Sequence, residues 1–141
     1  MADHLSKEKR SWNMSRIRSK NSKPELIVRS FLHKQGFRFR LYSAVLPGKP
    51  DLVLSKYKTV IFIQGCFWHR HPNCSRATMP KSNIIYWRKK FESNQQRDKS
   101  VKRSLEKLGW KVITVWECEL TRPQKKDHTL ESIVKKITKS D

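Results

Sequence analysis

Two carboxylates stand almost alone in a long basic stretch. Between Glu8 and Glu92 the only acids are Glu25 and Asp51, while the interval 9–91 holds nineteen Lys or Arg. On a surface that meets phosphate, a carboxylate weakens binding by repulsion. Acids retained in such a field are candidates for holding a hard divalent cation. Each also has a plainer reading. Ser22-Lys23-Pro24-Glu25 fits a helix capping box, with Ser22 as N-cap and Glu25 at the third helical position. That reading carries more weight for Glu25, and it is compatible with a ligand role because a helix N-terminus fixes the side chain. Asp51 follows the turn-rich LPGKP and opens Leu52-Val53-Leu54. It is either a turn former or the acid of a metal-dependent nuclease, where Pro-Asp precedes one strand and a polar residue, here Gln64, ends the next.

A second constellation is metal-like. Cys66, His71 and Cys74 lie within nine residues, and Cys118 directly follows KVITVWE. Three thiolates and one imidazole make a closed tetrahedral zinc set, structural because no position stays open for water. The competing reading is that these are small buried residues.

His69 lies two residues from His71. It is either an inert loop histidine or, locked beside a metal ligand, a group suited to proton transfer. Phe67 and Trp68 either pack beneath the loop or enter a base stack. Trp87, Phe91, Asn94 and Asp98 fall at helical steps of four, three and four, so they share one face. Asp98 is then a solvated residue, an ion-pair partner of Arg97 or Lys102, or a member of the site.

The elements that must position these groups follow from periodicity. A capped helix spans 23–35 and stops at Gly36. FRFRLY, DLVLS and TVIFIQ read as strands, the last two as a hairpin. Residues 65–82 form an irregular loop, a long helix runs from Asn83 to about Leu108, and KVITVWE is a further strand. The tail from Asp127, with Leu130, Ile133, Val134 and Ile137, is a short amphipathic helix. The class is α/β, a small mixed sheet flanked by helices. A basic arm over 1–20, with a short helix at 11–18, precedes one domain over 21–141.

Composition bounds the function. The chain of 141 residues carries 32 Lys+Arg against 12 Asp+Glu, a net charge of +20. Such an excess points to a polyanion, most simply nucleic acid. MADHLSKEKR has no apolar signal core, and the longest strongly apolar run, Val60 to Ile63, is too short to span a bilayer. A cytoplasmic protein without a membrane partner is expected, and three cysteines argue against a disulfide framework.

Taken together, NMSRIRSKNSKPE, LPGKPDLV, VIFIQGCFWHRH, SNIIYW, NQQRD and GWKVITVWECEL closely resemble the very short patch repair DNA mismatch endonucleases, over about residues 8–120. The pairing of GCFWH with WECEL is highly specific. The resemblance implies a restriction-endonuclease-like fold in a bacterial protein, nicking double-stranded DNA beside a thymine mispaired with guanine. It makes Asp51 the principal Mg²⁺ ligand, with Glu25 acting through a metal-bound water and the Ile63 carbonyl facing the ion. His69 is implied as general acid/base and Asp98 as a site acid. Cys66, His71, Cys74 and Cys118 match the structural zinc set, and Phe67, Trp68 and Trp87 the aromatics that wedge into the duplex. The expected partners extend to mismatch-repair proteins and a downstream DNA polymerase, the protein itself acting as a monomer.

Position 64 departs from relatives that carry a titratable His or Asp. Gln64 hydrogen-bonds a water but does not take its proton at neutral pH, which moves that burden to His69 or lowers the rate. The Lys that broader nuclease motifs place two residues on is replaced by Cys66. Two functions are carried forward: a Mg²⁺-dependent nicking endonuclease and a non-catalytic, zinc-stabilised module for distorted duplex. Only the first needs Glu25, Asp51 and His69 together.

Overall fold

The computed structural model describes residues 22–139. The expected basic arm over 1–20 and its helix at 11–18 lie outside the described residues. In chain order the elements are α1 (Lys23–Lys34), β1 (Arg40–Leu41), β2 (Leu52–Leu54), a 3-10 turn (Ser55–Tyr57), β3 (Thr59–Gln64), α2 (Ile84–Lys107), β4 (Lys111–Trp116), α3 (Glu117–Thr121) and α4 (Pro123–Thr138).

Local chemistry sets the helix ends. Ser22 Oγ accepts the Glu25 N–H at 3.4 Å, and Pro24 sits in the first turn of α1. At the other end, Gly36 N–H reaches His33 O and Phe37 N–H reaches Leu32 O, with Gly36 at φ +87°. This paired return needs a left-handed residue, which glycine supplies without a Cβ penalty. Gly109, at φ +91°, closes α2 the same way, with Trp110 N–H reaching Leu105 O.

The four strands lie in the order β1-β2-β3-β4. β1 pairs antiparallel with β2, and β2 with β3 through Leu52↔Ile61 and Leu54↔Thr59. β3 and β4 are parallel, Val60↔Val112 through Gln64↔Trp116, and the connection between them carries the irregular loop and α2. The sheet is therefore mixed, as expected.

Period-two alternation splits the core between two faces. Leu52, Leu54, Ile61, Ile113 and Val115 face Val28 and Leu32 of α1, Leu120 of α3, and Leu130, Ile133 and Ile137 of α4. Val53 and Val60 face Leu105 of α2, with Val101, Phe62 and Val112 packed around them. Helices thus cover both faces, but α2 covers its face incompletely. Toward the carboxyl ends of β3 and β4, the side chains of Phe62, Gln64, Thr114 and Trp116 line an open cleft instead. In α/β sheets that end is where ligands bind.

Three boundaries differ from the sequence reading. FRFRLY contributes only Arg40–Leu41 to the sheet, because Phe37 and Phe39 turn into the core, Phe37 meeting the Tyr57 ring edge-on at 5.6 Å. The tail helix begins at Pro123 rather than Asp127. Proline is pre-set for a first turn, and the polar residues behind it hide the start from an apolar pattern. The last strand stops at Trp116, one residue short of the expected KVITVWE, and Cys118 lies on the short helix α3. Among the described residues no helix is long and apolar enough to cross a membrane.

Candidate active site and metal-binding cluster

The cleft has a volume of about 690 Å³ and is walled by the Gly48–Asp51 turn, the ends of β3 and β4, the loop after β3 and one face of α2. It brings together Asp51, Ile63, Gln64, Phe67, Trp68, His69 and Asp98. These come from four separate segments.

Asp51 sits one residue before β2 and is fixed by β3, its Oδ2 accepting the Ile63 N–H at 2.7 Å. Burial pushes its carboxyl above the usual range, opposed by that N–H and by the nearby charges of His69 and Arg29. A carboxylate held partly desolvated, with one oxygen already engaged, favours a cation that restores its lost solvation. The N–H and C=O of one strand residue point to the same neighbour, so the Ile63 carbonyl lies on the Asp51 side of β3.

His69 and Asp98 form a pair. Nδ1 of His69 lies 2.7 Å from Asp98 Oδ2, with the two side chains 25% and 29% exposed. Asp98 reaches the site because it shares the α2 face with Asn94 and Phe91, both buried. Asp98 lines the cleft, and its ion-pair partner is His69, not Arg97 or Lys102. With Nδ1–H donated to the carboxylate, the ring presents Nε2 as its free nitrogen. Asn94 Nδ2 donates to the Trp68 carbonyl at 3.1 Å and so ties the loop to the same helix.

Glu25 stands apart from the other acids. It is buried at 2% exposure and does not line the cleft, although its neighbours Ser22 and Pro24 do. The Tyr42 hydroxyl donates to Glu25 Oε2, Arg29 Nη2 donates to the Tyr42 hydroxyl, and Arg29 forms an ion pair with the same carboxylate. The Glu25 N–H is capped by Ser22, while its carboxylate is a buried ion-pair member.

The aromatic residues form one cluster. Phe67 meets Trp68, Trp87 and Phe91 edge-on at 5.2, 5.7 and 5.3 Å, and Trp68 lies 5.8 Å from Trp87. Phe67, Trp68 and Trp87 are all half-buried. Phe67 and Trp68 meet rings on α2 and also line the cleft, whereas Trp87 is not part of the cleft wall.

The cysteine constellation closes as its spacing suggests. One ligand atom from each of Cys66, His71, Cys74 and Cys118 lies within 4.8 Å of all the others. His71 Nδ1 is 3.6 Å from Cys66 Sγ and 3.4 Å from Cys118 Sγ. A tetrahedral zinc with bonds of ~2.0–2.3 Å places its ligand atoms about 3.5–3.8 Å apart, which these separations suit. Burial, helped by the Cys118 and Cys74 thiols, pushes the Cys66 thiol up to about 12. Burial lowers His71, which favours the neutral ring that ligates. Its imidazole stacks on Trp116 at 4.3 Å, and Cys66 N–H is anchored by Glu117 Oε1 at 3.1 Å. The cluster thus pins the loop to α3.

Four residues outside the sequence-derived set shape this region. Arg29 and Tyr42 hold Glu25, Glu117 anchors Cys66, and Arg70 braces the loop. Arg70 donates to the carbonyls of Phe67, Ala77 and Thr78 and lies 4.1 Å over the Phe91 ring. Arg29 could have been found from its i,i+4 spacing to Glu25; Tyr42 and Glu117 could not, their partners lying 17 and 51 residues away.

A family profile described as DNA mismatch endonuclease Vsr matches residues 2–76. The type II nicking enzyme V.NmeAIP of Neisseria meningitidis serogroup A is 48% identical over 137 residues, 97% of this chain and 97% of that protein. The type II nicking enzyme V.XorIIP of Xanthomonas oryzae is 47% identical over 121 residues, 86% of this chain and 88% of that protein. The DNA mismatch endonuclease Vsr of Escherichia coli K12 is 41% identical over 125 residues, 89% of this chain and 80% of its length. Of the two functions carried forward from the sequence, these relatives favour the endonuclease over the non-catalytic module. The chain belongs to the Vsr family of DNA mismatch endonucleases and is a DNA endonuclease.

Proposed function

We propose that this endonuclease is Mg²⁺-dependent and nicks one strand of duplex DNA beside the thymine of a T·G mispair, and that zinc fills the cysteine cluster as a structural ion. The observation that supports the reading best is the meeting of Asp51 and the Asp98–His69 pair in one cleft beside a half-buried aromatic cluster. The mixed sheet with helices on both faces is consistent with the restriction-endonuclease-like fold.

Each residue has a role in this reading. Asp51 and the Ile63 carbonyl would hold the Mg²⁺, with Glu25, whose carboxylate is also engaged by Tyr42 and Arg29, contributing through a water. The ion supplies activation of the attacking water and neutralises charge on the phosphate. His69 Nε2 moves the proton, and Asp98 holds the ring in the orientation and tautomer that leave Nε2 available. Gln64 hydrogen-bonds the water without titrating. Phe67, Trp68 and Trp87 enter the stack next to the mispair, where unstacking costs least because pairing is already weak. A nick of this kind leaves an end that a DNA polymerase extends, which gives the downstream partners their place.

The test is a nicking assay on a duplex with a single T·G mispair, comparing the wild type and Asp51→Ala with and without Mg²⁺. Nicking confined to the wild type with Mg²⁺ supports the reading. Equal activity in both proteins, or preference for a fully paired duplex, overturns it. His69→Ala should slow nicking by about 10²-fold or more at unchanged T·G affinity. If affinity falls in step with rate, His69 is structural.

A further inference from the structure

We propose that Gly48 and Val101 are positioning residues: their contact sets the width of the cleft, and with it the separation of Asp51 from the His69–Asp98 pair. This rests on the reading of Asp51 as the metal-holding acid and His69 as the proton carrier. The two groups stand on opposite walls. Asp51 ends the turn before β2, while Asp98 belongs to α2, which carries Val101 three residues further on. Residues three apart on a helix share a side. Asp98 and Val101 both line the cleft, as do Gly48 and Asp51 across from them.

At Gly48 the walls meet. A Cβ at this position would stand 3.1 Å from Cγ2 and 3.3 Å from Cβ of Val101, and closer still to Cγ1. Carbon atoms pack at about 3.5–4.0 Å, so any side chain here drives the walls apart by roughly 1 Å.

Neither side of the contact yields easily. Val101 is β-branched in a helix, which leaves it one strongly preferred rotamer. It packs with Leu46 around Val53, Val60 and Leu105. On the other wall Leu46-Pro47-Gly48-Lys49 closes as a turn, with the Lys49 N–H reaching Leu46 O at 3.2 Å and Gly48 at φ +74°. Pro47 and Pro50 each have a fixed φ, and Pro50 is fully buried, so few soft dihedrals separate Gly48 from Asp51.

The contact lies where α2 stops covering the sheet. Beyond it the cleft floor is open, lined by Phe62, Gln64 and Thr114. A shift at Val101 is therefore felt one turn on at Asp98 and, through the 2.7 Å bond, at His69. A misplacement of ~1 Å in a reacting constellation costs about 10²-fold in rate. With no side chain at position 48, the two walls close to the distance the chemistry uses.

The experiment measures single-turnover nicking of a T·G duplex by the zinc-loaded full chain at saturating Mg²⁺ and protein. Equilibrium affinity for the same duplex and the thermal midpoint are measured beside it. Gly48→Ala should nick about 10²-fold more slowly, at a T·G affinity within about threefold of wild type. Adding Val101→Ala makes room for the new Cβ and should return the rate to within about tenfold of wild type, a coupling that a merely strained turn would not show. Ile133→Ala, on α4 against the other face of the sheet, should lower the midpoint and leave the saturated rate unchanged.

A Gly48→Ala that nicks like wild type overturns the proposal. So does a lost rate that Val101→Ala fails to restore, which assigns the loss to the strained φ alone. Affinity falling in step with rate, or Ile133→Ala slowed as much as Gly48→Ala, overturns it as well. Should Gly48→Ala not fold, Val101→Ile decides, because it lengthens the side chain at the same contact without straining the turn; a wild-type rate there overturns the proposal. A wild type that fails to nick the T·G duplex with Mg²⁺ overturns the functional reading instead; one that nicks while Gly48→Ala matches it overturns only this inference.

Discussion

Asp51 is held in a state that costs stability. Its oxygen is placed by the Ile63 N–H, while burial raises its carboxyl above the ordinary value of 3.8. The sign of the linkage follows. Between 3.8 and the raised value the folded protein binds more protons than the unfolded chain, so this group lowers stability as pH rises through that window. At neutral pH the penalty stands in full until a cation offsets it. Asp51→Asn removes the buried charge and keeps an oxygen for the Ile63 N–H. It should raise the thermal midpoint of the metal-free protein by about 2–6 °C, on the order of 1 kcal/mol, while abolishing nicking. Calorimetric scans of the two proteins test this; an unchanged or lowered midpoint would show that the Asp51 charge is already well solvated. The acids were legible from sequence because the surrounding interval lacks others. Arg29 is four residues from Glu25, but the other partners were not legible: Glu25 and Tyr42 are 17 residues apart in sequence, and Asp51 and Ile63 12 apart. Pairings of that range are set by the fold rather than by any local pattern.

Among the elements, the segment between β3 and α2 has the least apolar support of its own. Its only buried residue from Gly65 to Asn83 is Cys66. It is held by the Cys66–His71–Cys74–Cys118 cluster, by the three carbonyl contacts of Arg70 and by the Asn94 bond to Trp68. Phe67, Trp68 and His69 lie between the first two cluster residues, so an ion bound there would also fix the segment that carries them. Removing zinc with a chelator, or Cys118→Ser, should open this loop to proteolysis before the rest of the domain and should lower mismatch affinity and nicking together. The order of cleavage products, followed by mass spectrometry, checks this. Protection unchanged after chelation would assign the cysteines to simple burial. The helix and strand types here were legible from capping and period-two alternation. What was hidden was where β4 ends, because the capping of Trp116 N–H by Glu119 Oε1, at 3.0 Å, starts α3 with no turn residue between it and the strand.

Across the whole molecule, the net charge of +20 and the aromatic cluster do separate things. Charge binds phosphate without regard to sequence or pairing, and its contribution falls linearly with the logarithm of salt concentration. The first turns of α2 carry exposed Arg88, Lys89 and Lys90 immediately beyond Trp87, so in the proposed reading electrostatic capture and the wedge adjoin on one helix. Exposed Ile85, at 74%, and Tyr86 extend the apolar side of that region. Two substitutions separate the contributions. Lys89→Ala with Lys90→Ala should weaken binding to T·G and fully paired duplexes by the same factor and reduce the salt slope by up to ~2, about 0.9 per lost phosphate contact. Trp68→Ala should leave the slope unchanged and lower the T·G preference by about tenfold, the scale of one lost base-stacking contact. Both follow from equilibrium binding to the two duplexes over a range of salt. If Trp68→Ala changes the slope and the lysine pair changes the preference, the division between charge and wedge is wrong, and mismatch selection must come from how the backbone path, rather than the base stack, meets the basic face.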